Sequence, residues 1–276
     1  MNAHDHPADA VSHASGIAPD ESQVLYCVVD GVAQLTLNRP RQFNAISMEM
    51  LAQMQEALDA IALDPAVRVV VIAGSGAAFS GGHDLKQMMG NRNPAFIGRL
   101  FEECSRVMLA LQALPQPVIA RVHGIATAAG CQIVAACDLA VASTDARFAT
   151  SGVNLGLFCA TPGVPVSRNI GRKRAFEMLF TGEFIDAATA QAWGLVNRVV
   201  APELLDSEID RLVQSLRAKP RSVLAAGKAL FYRQIEAPLD EAYRAASKSI
   251  TDNMLGAEAA EGIGAFLEKR VPRWDT

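Results

Sequence analysis

Two glycine-rich segments contain residue types that can bind an oxygen atom through the backbone. The first, FSGGHDLK, covers residues 79–86, and the second, HGIATAAGCQ, covers residues 123–132. Each places small residues where a strand should end and a helix should begin, and the first N–H groups of a helix have no partner inside the helix. Such donors would bind an oxygen that carries negative charge. A plain strand-to-helix turn, or close packing of a helix, would use the same small residues.

The elements that must position these segments alternate between strand and helix. Nearly continuous runs of β-branched residues at 67–73 and 118–122 predict strands that are buried on both faces, and residues 139–142 are a third candidate. An amphipathic helix near residues 96–114 lies between the first two strands, so the order predicts an α/β core. Both glycine-rich segments follow buried strands, where α/β folds commonly place their ligands.

The two ends of the chain have different patterns. Asp30-Gly31 separates two β-prone runs, 24–29 and 32–37, and predicts a hairpin, after which Ser47 can cap a helix that continues to about Leu63. We divide the chain into a flexible tail (1–23), an α/β core (24–200) and a helical C-terminal region (201–276) for capping and oligomerisation. From Arg172 onward the periodicity predicts helices at 174–180, 187–193, 202–218, 222–234, 239–249 and 257–269.

The composition excludes several classes of function. The net charge of -4 without a dense basic run offers no general surface for nucleic acid or an anionic membrane. No segment approaches the length of uninterrupted apolar residues that a membrane span requires. The five cysteines are odd in number and form no CxxC pair, which is typical of reduced thiols. Because residues 1–23 match neither a signal nor a transit peptide, we expect a cytoplasmic protein. We also expect no metal site.

Longer stretches of the sequence resemble a known family. The segments FSGGHDLKQM and VHGIATAAGCQIVAACDLAVAS, followed by FATSGVNLG, look like the enoyl-CoA hydratase/isomerase, or crotonase, superfamily. LNRPRQFNAIS, LFTGEFIDAATAQAWGLVNRVV and EGIGAFLEKR add matches in the same order, so the resemblance spans residues 24–270. It implies an α/β fold, a crotonase-like spiral of ββα units with a C-terminal helical region. It also implies a homotrimer or a dimer of trimers.

The resemblance implies that two backbone amides hold the carbonyl oxygen of an acyl-CoA thioester. By position these amides belong to His83 and Ala129, and such an oxyanion hole stabilises a thioester enolate. Hydratases of the family also use two glutamates, whose positions here are Gln132 and Gly152. Neither residue can exchange a proton near neutral pH. Since a positioned acid or base contributes about 10² to 10⁴-fold in rate, we expect classical hydration to be weak.

Two alternatives to hydration remain open. His83 and the VNLG stretch at residues 153–156 also resemble decarboxylase-like relatives, and decarboxylation needs an enolate stabiliser more than a base. The ring of His83 could equally serve only for packing. The absence of both glutamates also fits a noncatalytic acyl-CoA sensor or scaffold.

The resemblance implies that CoA is bound as part of the substrate, and we expect no permanently bound cofactor. Arg39 and Lys86 lie beside the nucleotide-binding positions of the family. Phe266 and Lys269 lie on a terminal helix that, in relatives, often reaches the ligand of a neighbouring subunit. Each basic residue taken alone is equally explained as a solvated surface charge.

The other polar side chains near these segments have structural interpretations. Asp84 suits the N-terminus of a helix, and His123 suits a strand end. Cys131 and Cys159 have no activating partner in the sequence, which favours buried inert thiols. The amide of Asn154 could orient a water or satisfy the backbone, and both roles remain open.

Overall fold

The computed structural model describes residues 22–274. The strands are β1 (Val24–Val29), β2 (Val32–Leu37), β3 (Val69–Gly74), β4 (Ala78–Ser80), β5 (Val118–Val122), β6 (Ile125–Thr127), β7 (Leu139–Ser143), β8 (Arg147–Ala149), β9 (Ile185–Asp186) and β10 (Arg198–Val200). The helices are α1 (Met48–Leu63), α2 (Leu85–Gly90), α3 (Pro94–Ala113), α4 (Ala129–Ala136), α5 (Ala160–Asn169), α6 (Arg172–Thr181), α7 (Ala187–Trp193), α8 (Leu205–Arg217), α9 (Arg221–Gln234), α10 (Leu239–Met254) and α11 (Ala257–Glu268). Short 3-10 helices lie at Pro40–Gln42, Ser151–Leu155 and Pro202–Leu204.

The strands form two sheets, and the chain contributes strands to both of them in turn. One sheet has the order β1-β2-β3-β5-β7-β10 and the other has the order β4-β6-β8-β9. Each of the pairs β3–β4, β5–β6 and β7–β8 contributes one strand to each sheet before the chain enters helices. This repeat is the predicted spiral of ββα units, and the helical C-terminal region follows it. The predicted fold is therefore confirmed.

Local signals placed several elements correctly. Asp30 and Gly31 both have positive φ, at 50° and 74°, and close the β1–β2 hairpin with Val29 opposite Val32. The Ser47 hydroxyl accepts a hydrogen bond from the Met50 N–H at 3.1 Å, and α1 ends at Leu63 as predicted. Strand β5 has the predicted bounds. Hairpin and cap follow from residues close in sequence, which is why the sequence alone predicts them.

The second sheet was not predicted from the sequence. Strands β4, β6 and β8 have three residues each, and β9 has two, so none is long enough to give a readable alternation. These strands are defined by pairing with one another, between residues that are far apart in the sequence. Helix α5 was also missed, since its interior contains Pro165.

The boundary of the predicted tail needs a correction. Ser22 and Gln23 were assigned to the flexible tail, but their backbone and side chains hydrogen-bond to β1 and α1. The Ser22 hydroxyl donates to the Val24 carbonyl at 2.6 Å, and Gln53 Oε1 accepts the N–H of Gln23 at 2.8 Å. Both residues therefore belong to the folded body. The rest of the predicted tail, residues 1–21, lies outside the described residues.

The core lies on both faces of the six-stranded sheet. The larger cluster contains side chains of α1, α3, α4 and both sheets, including Leu35, Ile72 and Phe79. On the opposite face, a smaller cluster packs α8 against β3, β5 and β7. Burial of this apolar area is the main stabilising contribution to such a fold. Within residues 22–274, no helix is long and apolar enough to cross a membrane.

A buried ionic network connects the C-terminal helices to the core. The Lys228 ammonium on α9 donates to the carboxylate of Asp138 at 2.7 Å and to the carbonyl oxygens of Leu111 and Gln116. Asp138 also accepts the hydroxyl of Tyr232 at 2.7 Å. Because every partner of the Lys228 ammonium is buried or half-buried, this network fixes α9 against the core.

Candidate active site

A cavity of about 400 Å³ opens where both glycine-rich segments end. It is surrounded by residues of the β4–α2 connection and α2, by Phe101 of α3, by the start of α4, and by residues of the segment 151–162. Its wall is mainly apolar, as is usual for a site that takes an acyl chain. The apolar lining includes Leu85, Met88, Phe101, Leu155, Leu157, Phe158 and Pro162.

The backbone N–H of His83 is free to bind a ligand. Ile46 pairs with His83 in an isolated parallel bridge, in which the Ile46 N–H donates to the Gly82 carbonyl at 2.8 Å and the Asp84 N–H donates to the Ile46 carbonyl at 2.9 Å. In such a bridge the intervening residue directs its own N–H to the other side. Among residues 22–274, no acceptor is found for the His83 N–H.

The second free N–H belongs to Ala129, the first residue of α4. The N–H groups in the first turn of a helix have no intrahelical acceptor, and none is found for Ala129 elsewhere in the described chain. The positive end of the α4 dipole adds to the attraction for a negative oxygen. All residues of α4 are buried, and Ala129 lines the cavity.

Gly82 allows the two donors to approach each other. It has a φ of +90°, and a Cβ atom on it would lie 2.8 Å from Ala128 Cβ and 3.3 Å from Ala129 N. Any side chain at residue 82 would therefore separate the β4–α2 connection from the start of α4. With glycine there, the peptide that precedes His83 contacts the turn that precedes Ala129. The sequence-predicted pair of amides is thus brought to one cavity.

The ring of His83 forms part of the cavity wall. It packs edge-on against Phe101 with ring centroids 5.2 Å apart. Its Nε2 atom is buried, and among the described residues it has no hydrogen-bond partner. Burial lowers the pKa of His83 from 6.5 to about 4, so the ring is neutral at pH 7.

Gln132 and Gly152, where the resemblance implies the glutamates of the hydratases, differ in their surroundings. Gln132 lies inside α4, is 2% exposed and does not line the cavity. Its Oε1 atom accepts a hydrogen bond from the Cys104 thiol at 3.8 Å. Gly152 lines the cavity directly. A Cβ atom at residue 152 would lie 2.6 Å from the carbonyl oxygen of Leu157 and 2.8 Å from Cys159 Sγ. The site has no carboxylate at either position.

The four residues expected near CoA are spread over the surface. The Arg39 guanidinium already binds the Asp84 carboxylate at 2.9 Å and the Ala45 carbonyl. Lys86 is exposed on the first turn of α2, one residue from the cavity-lining Leu85. Phe266 is 81% exposed, and Lys269 caps the end of α11; neither lines the cavity of its own chain. A single chain therefore brings only Lys86 to the rim.

The structural interpretations of the neighbouring polar residues agree with their contacts. Asp84 caps α2 by accepting the N–H groups of Lys86 and Gln87, and His123 Nε2 pairs with the Gly76 carbonyl at 2.8 Å. The Asn154 amide donates to the Gly182 carbonyl at 3.2 Å, which favours its role in satisfying the backbone.

The cysteines near the cavity are free thiols. Burial raises the pKa of Cys131 to about 12. Burial also raises the pKa of Cys159. The Gly152 N–H donates to the sulfur at 3.3 Å, and this hydrogen bond acts in the opposite direction by lowering the pKa. Of the two, Cys159 lines the cavity and Cys131 does not.

The apolar wall was not anticipated from the sequence. Phe101 lies on α3, while Leu157, Phe158 and Pro162 follow the FATSGVNLG match. Apolar side chains have no chemical signature in a sequence, so only the position of residues 157–162 directly after that match could have suggested them. Within residues 22–274, no group of three or more His, Cys, Asp or Glu side chains is placed to hold a metal ion.

Known proteins resemble this chain over most of its length. A crystal structure of an enoyl-CoA hydratase from Mycobacterium smegmatis is 58% identical, with a TM-score of 0.91 over 93% of this chain and 100% of that chain. The crystal structure of human enoyl-CoA hydratase domain-containing protein 3 is 42% identical, with a TM-score of 0.89 over 92% of this chain and 100% of that chain. The Xenopus laevis protein of the same name is 45% identical over 88% of this chain and 83% of its own length.

The comparison corrects the predicted cellular location. The Xenopus laevis, rat, mouse and human relatives are all named as mitochondrial proteins, which contradicts the cytoplasmic location expected from the sequence. That expectation depended on finding no targeting pattern in residues 1–23. The absence of a recognisable pattern is weak grounds for a location, because transit peptides are defined by composition rather than by a fixed motif.

The sequence as a whole matches the model of one protein family. The model described as enoyl-CoA hydratase/isomerase covers residues 28–276. This range includes both unpaired amides, the cavity and the C-terminal helices. The chain therefore belongs to the enoyl-CoA hydratase/isomerase family.

Proposed function

We propose that the cavity binds an acyl-CoA thioester and that the N–H groups of His83 and Ala129 hold its carbonyl oxygen. The observation that carries this proposal is the presence of two unpaired backbone donors beside one mainly apolar cavity. Charge that develops on the oxygen when a thioester forms its enolate is stabilised by such donors. The loss of one donor typically costs about 2.7 to 4 kcal/mol in the transition state.

We propose further that the protein is a poor hydratase. Of the described residues that line the cavity, only His83 and Cys159 have ionisable side chains, and neither stands where the family places a glutamate. Gln132 can bind a water but cannot take its proton, and Gly152 has no side chain. The supported reaction is therefore one that requires an enolate but no paired carboxylates.

Two further candidates remain for that site. Decarboxylation of a malonyl-type thioester is favoured by the neutral ring of His83 in the cavity wall, because the reaction needs only the stabilised enolate. A noncatalytic acyl-CoA sensor is favoured by the absence of both carboxylates beside intact donors. Turnover of malonyl-CoA by the full chain distinguishes the two.

A pair of variants at Ala129 tests the proposed donors. Proline is tolerated at the first position of a helix but has no N–H, so Ala129→Pro removes one donor. Ala129→Gly keeps that N–H and serves as the matched control. Titration calorimetry with butyryl-CoA should give a tighter complex for wild type and Ala129→Gly than for Ala129→Pro. Equal affinity of all three proteins, or no binding by the wild type, would overturn the proposal.

We also propose that the protein works as a trimer or a dimer of trimers. The C-terminal helices expose large apolar side chains, including Phe231, Tyr243, Ile250, Met254, Phe266 and Leu267. A surface of this kind is typical of an interaction site. Light scattering coupled to size-exclusion chromatography should give a trimer or hexamer mass, and a monomer at micromolar concentration would contradict it.

A further inference from the structure

The cavity is lined by one thiol. Cys159 lines it and is 7% exposed, whereas Cys104 and Cys131 are 0% exposed and do not line it. Cys137 and Cys27 lie elsewhere, on the far end of α4 and on β1. A small molecule that fills the cavity would therefore meet the thiol of Cys159 and no other thiol.

The sulfur of Cys159 lies directly against Gly152. The N–H of Gly152 donates to Cys159 Sγ at 3.3 Å, and a Cβ atom on residue 152 would lie 2.8 Å from the same sulfur. The sulfur therefore stands in the direction that a side chain at residue 152 would take. The resemblance to the family implies a glutamate that positions water at residue 152, and in this chain the sulfur of Cys159 lies beside that residue.

A second feature of the cavity indicates a ligand with polar atoms. The Nε2 atom of His83, a residue of the cavity wall, is buried without a hydrogen-bond partner among the described residues. Native proteins rarely leave such a group unpaired, and a bound ligand is one common explanation. The unpaired N–H groups of His83 and Ala129 lie at the same wall. The cavity thus has unpaired polar groups and a thiol, but no carboxylate.

We propose that Cys159 captures α,β-unsaturated acyl-CoA thioesters by adding its sulfur to the β carbon. The S–Cβ bond forms as the Cα=Cβ π bond breaks, and the electron pair moves to the thioester oxygen, which His83 and Ala129 hold through their N–H groups. The thiol proton ends on the α carbon. The product is a thioether that retains CoA, and no oxidant or second substrate is needed. This inference rests on the proposed binding of acyl-CoA.

Intact-protein mass spectrometry tests the capture. The full chain incubated with crotonyl-CoA should gain the complete mass of crotonyl-CoA, and digestion should locate the added mass on Cys159. Butyryl-CoA has the same chain length but no double bond, so it should bind without forming an adduct. A gain of the crotonyl group alone would mean attack on the carbonyl with loss of CoA, and would overturn addition to the β carbon.

Variants and binding data separate the possible failures. Cys159→Ser and Cys159→Ala should lose the adduct while unfolding at the wild-type temperature, and Cys27→Ser should keep it. Labelling of Cys27 in place of Cys159 would overturn the proposal. If butyryl-CoA binds and crotonyl-CoA leaves no adduct, the capture is wrong and acyl-CoA binding stands. If butyryl-CoA does not bind, the proposed function itself fails.

Discussion

Cys159 Sγ blocks the direction in which a side chain at Gly152 would extend. A Cβ atom on residue 152 would lie 2.8 Å from that sulfur and 2.6 Å from the carbonyl oxygen of Leu157. The segment from Leu157 to Cys159 therefore leaves no room for a side chain at residue 152. A carboxylate side chain at residue 152 would therefore clash with its neighbours.

We expect Gly152→Glu to fail to restore hydration. The contact begins at Cβ and involves a backbone oxygen, which cannot rotate away, so the loop must move. Overpacking of this kind typically costs about 1–3 kcal/mol. Gly152→Ala should lose a similar amount of stability, because it has the same Cβ. Crotonyl-CoA hydration and urea unfolding measure the two effects, and rapid hydration by Gly152→Glu would refute the expectation.

Ala128→Gly should stabilise the protein. Ala128 has φ 50° and ψ -118°, a conformation that strains residues with a Cβ atom by about 1–3 kcal/mol. Glycine relieves this strain but loses about 0.5–1 kcal/mol to its greater freedom in the unfolded chain. The expected net gain is about 1 kcal/mol in the free energy of unfolding.

Ala135→Gly, in helix α4, is the matched control for Ala128→Gly. Ala135 is buried in the regular part of α4, so Ala135→Gly should destabilise the protein by about 1 kcal/mol. Urea unfolding of both variants provides the comparison. Loss of stability in Ala128→Gly equal to that in Ala135→Gly would show that residue 128 is not strained.

Lys228→Met should destabilise the protein strongly. The ammonium of Lys228 pairs with Asp138 and with two carbonyl oxygens, and its removal leaves a half-buried carboxylate without its cation. Breaking a buried pair typically costs about 3–5 kcal/mol. Adding Asp138→Asn removes the charge left behind, so the double variant should lose less than the sum of the single variants. Strict additivity in a double-mutant cycle would mean that the two residues do not interact.

The free energy of unfolding should decrease as the pH is lowered below 6.5, because of His83. Its pKa is 6.5 in the unfolded chain and about 4 in the folded protein, where burial disfavours the charged ring. Between these values the unfolded chain binds the proton and the folded protein does not, so acid favours unfolding. The loss reaches up to about 3 kcal/mol near pH 4. His83→Gln should remove this part of the pH dependence, and an unchanged profile in that variant would assign it to other groups.

The sequence predicted those features that depend on nearby residues. The Asp30-Gly31 turn and the Ser47 cap are satisfied within a few positions of the chain, so their residue types are sufficient. Position in a family motif was enough to propose the donors at His83 and Ala129, because a backbone N–H is present whatever the side chain. The very short strands of the second sheet were missed, since their pairing depends on strands elsewhere in the chain.

The sequence alone therefore determined the α/β class, while its resemblance to the family implied the order of ββα units and placed Gln132 and Gly152 where the hydratases have glutamates. Only the tertiary structure decided that Gly82 brings the two donors to one cavity, and that Cys159 stands beside Gly152. It also decided that the Arg39 guanidinium forms an ion pair with the Asp84 carboxylate. The physical reason is the separation in sequence of the residues in contact: turns and caps need only residues that are close together in the chain. A cavity wall is formed by segments that are far apart in the sequence and meet only in the folded chain.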